Sequence, residues 1–399
     1  MGNRLFLSGC PAEERAKTML VRKFQITFFV SLLTLLCAAC TTAPAEPEVS
    51  GPIQSEPENT LEEAPPMREV DWSLLPTAPE GGADVMWEIQ SEPQNYQECL
   101  LITSAEGQGR LVVSCLDIAT GKLERLMDVA TEWAYYPTSA VDFDNQKIYY
   151  SAAAYNGESY DLFDNLFVYD MTDGTSTQLT YGKYEFNDLL IVDGKLYANT
   201  ARQYASALQP AVFDYETNDF IYLNPDDDDT LFCSFSTNRG QEHFVALTCL
   251  FSETRTHKVC AETFIEPRTI SFLDYDLNHL EPVYFTEDFQ IRMTRQVDDD
   301  HILMIAEDNM ISGVRKMRLL TISSEEVVDF PIPGMLSVQD FYPRAGGRGV
   351  YVVGKSGIWD NSTYALYYYD AANQTTTRVS PEGDALIGSI VNIVYCTYP

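Results

Sequence analysis

A two-strand pattern that recurs six times between residues 111 and 379 limits the fold of this chain more than any other feature. Each copy has an apolar or aromatic run, a polar turn and a second run, and helical periodicity is almost absent. In chain order, the copies span residues 111–127, 166–180, 211–223, 270–284, 317–330 and 366–379. Short runs separated by Gly, Asn or Asp turns predict antiparallel β-hairpins. A regular repeat of hairpins favours a β-propeller over a β-sandwich, because a sandwich has no reason to repeat.

One position at the end of the first strand marks each copy. The six markers are Asp117, Asp170, Asp214, Asp276, Thr321 and Asp370. Successive markers are 44 to 62 residues apart, and a four-stranded propeller blade takes about 40 to 50 residues. We therefore expect an all-β domain over residues 83–399, a six-bladed β-propeller, with seven blades as the alternative.

The copy at residues 166–180 reads LFVYDMTDGTSTQLT, and the next unit contains the turn VDGKLY at residues 192–197. Both resemble the blade repeats of six-bladed TolB-like propellers. The resemblance extends to all six copies in pattern and to the second and third copies in residue identity. It implies the fold but no particular activity, because propellers include enzymes, binding proteins and scaffolds.

The two ends of the repeat region complement each other. The first unit supplies three strands, which we predict at residues 98–103, 110–117 and 122–128. The chain ends in a further apolar strand, SIVNIVYCT, at residues 389–397. We expect this last strand to complete the first unit as its inner strand, which would leave no inner edge exposed. The segment ADVMWEIQ at residues 83–90 competes for the same place.

Residues 1–39 have the features of a secretory signal peptide. Arg22 and Lys23 precede an apolar run at residues 26–36, and that run is shorter than the about 20 residues that a membrane-spanning helix needs. Residues before Met19 are mixed in charge and add nothing to an export signal. We therefore expect translation to start at Met19 and the segment to be cleaved.

The cleavage region LCAAC, which ends at Cys40, resembles the lipobox of bacterial lipoproteins. This resemblance implies cleavage before Cys40, lipidation of its sulfur and anchoring to the bacterial cell membrane outside the cytoplasm. Cys37 is a departure, since the family prefers a branched aliphatic residue there. The alternative is ordinary cleavage after Ala39, which would release the protein with an N-terminal cysteine.

Residues 40–82 are rich in proline and glutamate, which predicts an extended, disordered linker. The whole chain is acidic, with a net charge of −33, and removal of the basic signal peptide makes it more acidic. Such a chain repels phosphate, so we expect no nucleic acid partner and no electrostatic contact with an anionic bilayer. Contact with the membrane would come through the lipid alone.

Six cysteines follow Cys40, at positions 99, 115, 233, 249, 260 and 396. Cys99 and Cys115 are equally far from Gly107, and Cys249 and Cys260 flank a polar turn in the same way. We predict that each pair faces across two antiparallel strands, either as a disulfide or as two small buried side chains. No CxxC motif is present, and we predict no metal site and no cofactor.

Aromatic residues are concentrated in loops that a propeller would place on one face, namely the loops between units and those between second and third strands. The candidate ligand-binding residues are Trp133, Tyr135, Tyr136, Tyr155, Tyr160, Tyr184 and Trp359. Trp and Tyr beside carboxylates can bind sugar rings, peptides or cations. The alternative is that these rings pack between blades.

No sequence motif of a known hydrolase or metalloenzyme is present, so we expect a non-catalytic binding module of the cell envelope. Its partner would be an envelope protein or an extracellular glycan or peptide. The alternative is an enzyme that acts on glycans or related substrates, with carboxylates of different blades meeting at the central channel. Two carboxyl groups about 5 to 10 Å apart at the channel mouth would favour the enzyme.

Overall fold

The computed structural model describes residues 97–106, 109–134, 136–155, 157, 159–202, 207–224, 227, 229–237, 241–250, 268–308, 314–344, 349–355, 364–379 and 389–398. Within these residues the secondary structure is β, apart from one 3-10 turn at Ile322–Ser324. None of the helices among these residues has the length and apolar character that crossing a membrane requires. The predicted signal peptide, Cys40 and the linker lie outside the described residues.

The first sheet combines both ends of the described chain. Its four strands are β1 (Gln97–Glu106), β2 (Arg110–Asp117), β3 (Leu123–Ala130) and β24 (Ser389–Tyr398). They are antiparallel in the order β24-β1-β2-β3. The predicted pairing of the C-terminal strand with the first unit is therefore confirmed. The competing segment at residues 83–90 lies outside the described part of the chain.

The second sheet has eight strands. These are β4 (Ser139–Asp142), β5 (Lys147–Tyr155), β6 (Tyr160–Asp170), β7 (Thr175–Gln178), β8 (Tyr184–Val192), β9 (Lys195–Arg202), β10 (Gln209–Asp214) and β11 (Asp219–Tyr222). The first four strands and the last four each form an antiparallel meander. The residue pair Asp164 and Tyr184 joins β6 to β8 and thereby links the two halves.

Three more sheets have four antiparallel strands each, in chain order. The third sheet contains β12 (Thr230–Ser236), β13 (His243–Leu250), β14 (Arg268–Asp274) and β15 (Leu280–Thr286). The fourth contains β16 (Gln290–Asp298), β17 (His301–Glu307), β18 (Lys316–Thr321) and β19 (Glu326–Asp329). The fifth contains β20 (Ser337–Pro343), β21 (Gly349–Lys355), β22 (Ala365–Asp370) and β23 (Thr375–Arg378).

Polar contacts connect the innermost strands of successive sheets. Each of these hydrogen bonds joins a residue of one innermost strand to a residue of another and is 2.6 to 2.8 Å long. The pairs are Asn187–Cys233, Ser236–Thr294, Arg295–Phe341 and Ile393–Asp340. Thr103 and Ser139 continue the series from the first sheet to β4, at 2.7 Å. The sheets therefore follow one another around a common centre, which is an all-β, propeller-like arrangement.

The hydrophobic core lies between the faces of neighbouring sheets. Between the fourth and fifth sheets, for example, Leu303 and Leu319 pack in one cluster with Phe341 and Val352, all fully buried. Burial of apolar surface contributes about 25 cal/mol per Å². Each sheet therefore depends on its neighbours for stability, as expected for a repeat whose single units cannot bury a face alone.

All six predicted hairpins are present, and their aspartates have a common structural role. The N–H groups of Thr120, Thr172, Glu216, Asn278 and Ala372 donate to the carboxylates of Asp117, Asp170, Asp214, Asp274 and Asp370 at 2.7 to 2.9 Å. Such bonds favour the turn over continuation of the strand. The predicted marker Asp276 was wrong by two residues, because β14 ends at Asp274 and that carboxylate accepts the turn N–H.

Candidate functional site

The hairpin of β5 and β6 extends beyond the rest of its sheet and carries two of the predicted ligand-binding residues. Tyr155 and Tyr160 are opposite each other in its register, with ring centroids 5.1 Å apart. The Tyr155 hydroxyl donates to the Gly157 carbonyl at 3.1 Å. Tyr155 is 60% exposed, so the tip of the hairpin presents aromatic rings to solvent.

The connection between β3 and β4 is held against this hairpin by hydrogen bonds. The Ala153 N–H donates to the Glu132 carbonyl at 2.9 Å, and the Ala134 N–H donates to the Asp164 carboxylate at 2.7 Å. The Ser151 hydroxyl donates to the Tyr136 carbonyl at 3.1 Å. Tyr136 is thereby fixed beside the hairpin, with 65% of its surface exposed.

The connection between β7 and β8 is held on the other side. The Asn165 side-chain amide donates to the Gly182 carbonyl at 3.2 Å, and the Gly182 N–H donates to the Asn165 side-chain oxygen at 2.9 Å. This reciprocal pair of hydrogen bonds fixes the backbone next to Tyr181, whose side chain is 83% exposed. On β6 itself, Leu162 is 79% exposed, and nothing in the alternating pattern of that strand distinguishes it from its neighbours.

These five residues form what we term the aromatic surface: Tyr136, Tyr155, Tyr160, Leu162 and Tyr181. Hydrogen bonds to β5 and β6 fix the backbone of the connections that carry Tyr136 and Tyr181, so the surface is built around the projecting end of this hairpin. Clustered exposed apolar side chains commonly mark a binding site in a soluble domain. The exposed carboxylates of Glu132 and Asp161 lie in the same segments.

The remaining predicted residues of this face have different environments. Trp133 is partly buried in the connection between β3 and β4. Tyr135 and Trp359 lie outside the described residues. The structure thus brings the rings of Tyr155 and Tyr160 together and places Tyr136 on a connection that is bonded to the same hairpin, while Trp133, like Tyr160, is partly buried.

Tyr184 is a correction to the predicted site, because it belongs to the core. It is 7% exposed, its ring contacts Phe186 and Phe220, and its hydroxyl donates to the Asp219 carboxylate at 2.9 Å. Burial and this carboxylate raise the pKa of Tyr184 to about 12. The reason is strand alternation: as the first residue of β8, Tyr184 lies on the same face as Phe186.

A cavity of about 340 Å³ lies among the innermost strands, towards the opposite end of the sheets. Its lining includes Phe143 and Asp193, which lie in the turns between first and second strands, and aliphatic side chains of β4 and β8. In an antiparallel meander these turns lie at the end opposite the hairpin tip that carries the aromatic surface. The cavity and the aromatic surface are therefore at different ends.

Three tyrosines line this cavity, namely Tyr275, Tyr342 and Tyr395. Together with Thr237 they form what we term the tyrosine cluster. The Tyr342 hydroxyl donates to the Thr237 carbonyl at 3.2 Å, and the hydroxyls of Tyr275 and Thr237 are 2.7 Å apart. The rings of Tyr342 and Tyr395 have centroids 6.4 Å apart. Burial raises the pKa of Tyr342 to about 12.

Two aspartates of different sheets lie near one arginine at the centre. Asp340 of β20 is fully buried and accepts the N–H groups of Phe341 and Ile393, each at 2.7 Å, and the Arg295 guanidinium at 3.4 Å. Burial raises the pKa of Asp340. Asp188 of β8 is half-buried. Its loss of contact with water raises its pKa to about 7, although the positive charge of Arg295 opposes the rise. Asp188 is therefore a carboxyl group that can exchange a proton near neutral pH.

The cysteines pair differently from the prediction. The register places Cys99 opposite Asp117 and Cys115 opposite Leu101, because the hairpin centre is one residue after Gly107. Cys99 and Cys115 are therefore diagonal neighbours in one buried cluster and are not directly opposite each other. Cys99 is instead directly opposite Cys396 on β24, with the sulfur atoms 3.1 Å apart.

The second predicted cysteine pair cannot be followed, since Cys260 lies outside the described residues. Its partner Cys249 has its sulfur 3.8 Å from that of Cys233. The sequence offered Cys233 and Cys396 no local partner, and in the structure both lie next to another cysteine. Only the pairing of strands in the folded sheets brings these cysteines together.

The sequence has two runs of aspartates, at residues 226–229 and 298–300, and each contains an aspartate with a local contact. The Asp227 carboxylate accepts the N–H groups of Asp229 and Thr230 at 2.9 and 3.0 Å, and these bonds hold the pKa of Asp227 below its usual value against the opposing effect of burial. Asp298 lies 2.8 Å from the His301 ring nitrogen. The contacts of Asp227 and Asp298 are thus with residues two or three positions away in the sequence.

Comparison with known proteins finds no matching family model and no matching curated protein. Among solved structures, the chain is similar to TolB from Acinetobacter baumannii, with 13% identity over 76% of this chain and 67% of that chain, at a TM-score of 0.49. It is also similar to a chain of a nidogen/laminin complex, with 8% identity over 75% of this chain and 98% of that chain, at a TM-score of 0.48.

Proposed function

We propose that this chain is an exported, lipid-anchored protein whose six-bladed, TolB-like propeller acts as a non-catalytic binding module of the cell envelope. The signal peptide and the lipobox-like sequence before Cys40 support export and anchoring. The eight-stranded sheet supports six blades, because each of its halves is a four-stranded meander like the other sheets. The two halves and the four remaining sheets together make six units.

The observation that carries the binding role is the aromatic surface. All of its side chains except that of Tyr160 are more than half exposed, although exposed aromatic rings give up the free energy that burial would contribute. Hydrogen bonds to β5 and β6 hold the connections on both sides of the hairpin, so a partner would meet a preorganised surface. Preorganisation lowers the entropic cost of binding.

The chemistry of the aromatic surface favours a glycan or a peptide as the ligand, free or as part of an envelope protein. Tyrosine rings stack on sugar rings or apolar side chains. The exposed carboxylates of Glu132 and Asp161 can accept hydrogen bonds from sugar hydroxyls or from cationic groups. The net charge of −33 argues against nucleic acid.

The test uses the mature chain on arrays of oligosaccharides and of short peptides. The double variant Tyr155→Ala, Tyr181→Ala removes two rings, and Phe285→Ala on β15 is a matched control, since Phe285 is 54% exposed on a different sheet. We expect the double variant to bind the selected ligand at least about tenfold more weakly, with the control unchanged. Equal binding by all three proteins would contradict the proposal.

Localisation has its own test. Cys40→Ala should prevent lipidation, so the protein should appear in the soluble fraction or remain unprocessed, while Cys37→Ala should still be anchored. Retention of the Cys40→Ala variant in the membrane fraction would contradict the lipobox interpretation.

The enzyme alternative is favoured by one observation, the proximity of Asp188 and Asp340 to the same arginine. Against it, both Asp340 oxygens accept backbone N–H groups and the residue is fully buried, so Asp340 fits a structural role. Asp188 with its pKa of about 7 remains as a general acid or base. Glycoside turnover that is lost in Asp188→Asn and kept in Glu281→Gln, at an exposed position of β15, would establish the alternative.

A further inference from the structure

The strand that closes the first sheet carries one of a pair of adjacent thiols. Cys396 of β24 is directly opposite Cys99 of β1, and their sulfur atoms are 3.1 Å apart. Cross-strand pairs of this kind bring the Cβ atoms close to the separation that a disulfide needs. Little movement is therefore required to join the two sulfur atoms.

We propose that Cys99 and Cys396 form a redox-dependent disulfide that covalently closes the propeller by fastening its last strand to its first sheet. The bridge would join residues 297 positions apart in sequence, and so nearly the whole described chain would lie within the closed loop. The inference goes beyond the proposed binding role and depends on export only for its natural oxidant.

Cys115 is the competing partner, because it also lies beside Cys99. Cys115 belongs to β2 and is diagonal to Cys99, whereas Cys396 is its direct neighbour across the pair of strands. Cys115 is buried, while Cys396 is partly exposed and lines the cavity. A reagent can therefore reach Cys396 more readily than Cys115.

The chemistry balances with an external disulfide, such as oxidised glutathione, as the oxidant. Hydrogen bonds with Cys115 and Cys396, together with burial, raise the pKa of the Cys99 thiol, so the reaction begins at Cys396. The Cys396 thiolate attacks the reagent, forms a mixed disulfide and releases one thiolate. The Cys99 thiol then loses its proton and attacks the Cys396 sulfur, which releases the second thiol. Two protein thiols are oxidised, and the reagent is reduced to two thiols.

The structure offers a matched control in the second pair of adjacent thiols. Cys233 and Cys249 lie on neighbouring strands of one sheet with sulfur atoms 3.8 Å apart, but they are separated by only 16 positions. A disulfide stabilises more when it closes a longer loop, because it restricts the unfolded chain more strongly. A bridge at Cys233 and Cys249 would therefore raise stability about half as much.

The experiment treats the purified mature chain with oxidised glutathione or with dithiothreitol and compares thermal unfolding. We expect oxidation to raise the unfolding midpoint by about 10 °C, reversibly, in the native chain and in Cys233→Ser. In Cys396→Ser the rise should be at most about half as large. An equal rise in Cys396→Ser, or none in the native chain, would overturn the proposal.

Peptide mapping of the oxidised native chain makes the test independent of how well the variants fold. We expect a pair of peptides that contain Cys99 and Cys396, joined with the loss of two hydrogen atoms. A link between Cys99 and Cys115 would overturn the pairing. So would thiols of Cys99 and Cys396 that still react with an alkylating reagent after oxidation.

Discussion

Tyrosine side chains have opposite environments at the two ends of the sheets. At one end, the aromatic surface exposes tyrosines whose rings have few packing partners. At the other end, the tyrosine cluster is enclosed, and the Tyr275 and Tyr342 hydroxyls donate to protein carbonyls. A tyrosine with a satisfied hydroxyl and a buried ring contributes to stability, whereas an exposed ring on a fixed backbone is available to a ligand. The difference separates structural from functional tyrosines in this chain.

The strongest test of the enclosed end is removal of the strand that supplies Tyr395. Deletion of residues 389–399 exposes the edge of β1 and opens the first sheet, so we expect the whole domain to lose cooperative unfolding, measured by calorimetry. Deletion of Pro399 alone is the control and should leave the transition unchanged. A truncated protein with a native transition would show that closure contributes little to stability.

A single substitution at the tyrosine cluster should have the next largest effect. Tyr342→Ala removes a buried ring that lies 4.5 Å from the Arg295 guanidinium and should cost about 3 kcal/mol or more in the free energy of unfolding. Tyr342→Phe removes only the hydrogen bond to Thr237 and should cost about 1 kcal/mol. Chemical denaturation of both variants checks this order. Equal losses would mean that the hydroxyl, not the ring, supports this end.

Asp188 lies on β8 between the two ends and should make stability depend on pH. Its pKa is raised in the folded protein to about 7, so the folded state holds the proton more tightly than the unfolded state does. This contribution to stability is complete below pH 4 and is lost as the pH rises to about 7. Between pH 5 and pH 8 it should fall by about 2 kcal/mol.

Asp188→Asn is the variant that isolates this contribution, because its side chain is neutral at every pH. The difference in unfolding free energy between Asp188→Asn and the native chain should grow in favour of the variant from pH 5 to pH 8. Asp161→Asn, at an exposed position of β6, controls for the loss of one carboxylate. A difference that does not change with pH would show that Asp188 is ionised throughout.

Local sequence was sufficient for the hairpins and for the strand that closes the first sheet, because both depend on alternation and on turn residues such as Asp170. It failed where the answer depended on contacts between distant strands. The neighbour of Cys99 is Cys396, and only the register of β1 against β24 brings them together. Likewise, the residues DYD before Leu277 offer two aspartates, and the hydrogen bond to Asn278 alone distinguishes Asp274 from Asp276.

Sequence reasoning selected loops that carry exposed aromatic rings, but it did not separate exposed rings from buried ones. Tyr181 and Tyr184 are three residues apart, and both have charged or polar neighbours in the sequence. One lies before β8 and points to solvent, while the other begins the strand and alternates into the core with Phe186. Side-chain direction at a strand end depends on where pairing starts, which the sequence determines only to within a few residues.

This pair of tyrosines also provides the smallest expected effect on stability. Tyr181 is 83% exposed, so Tyr181→Ala should change the free energy of unfolding by about 0.5 kcal/mol or less. Tyr184→Ala removes a buried ring and its hydrogen bond to Asp219, and should cost about 3 kcal/mol or more. Denaturation of the two variants under one set of conditions measures the contrast directly. If Tyr181→Ala were as destabilising as Tyr184→Ala, its ring would be a packing element, and the aromatic surface would lose its claim to be available for a ligand.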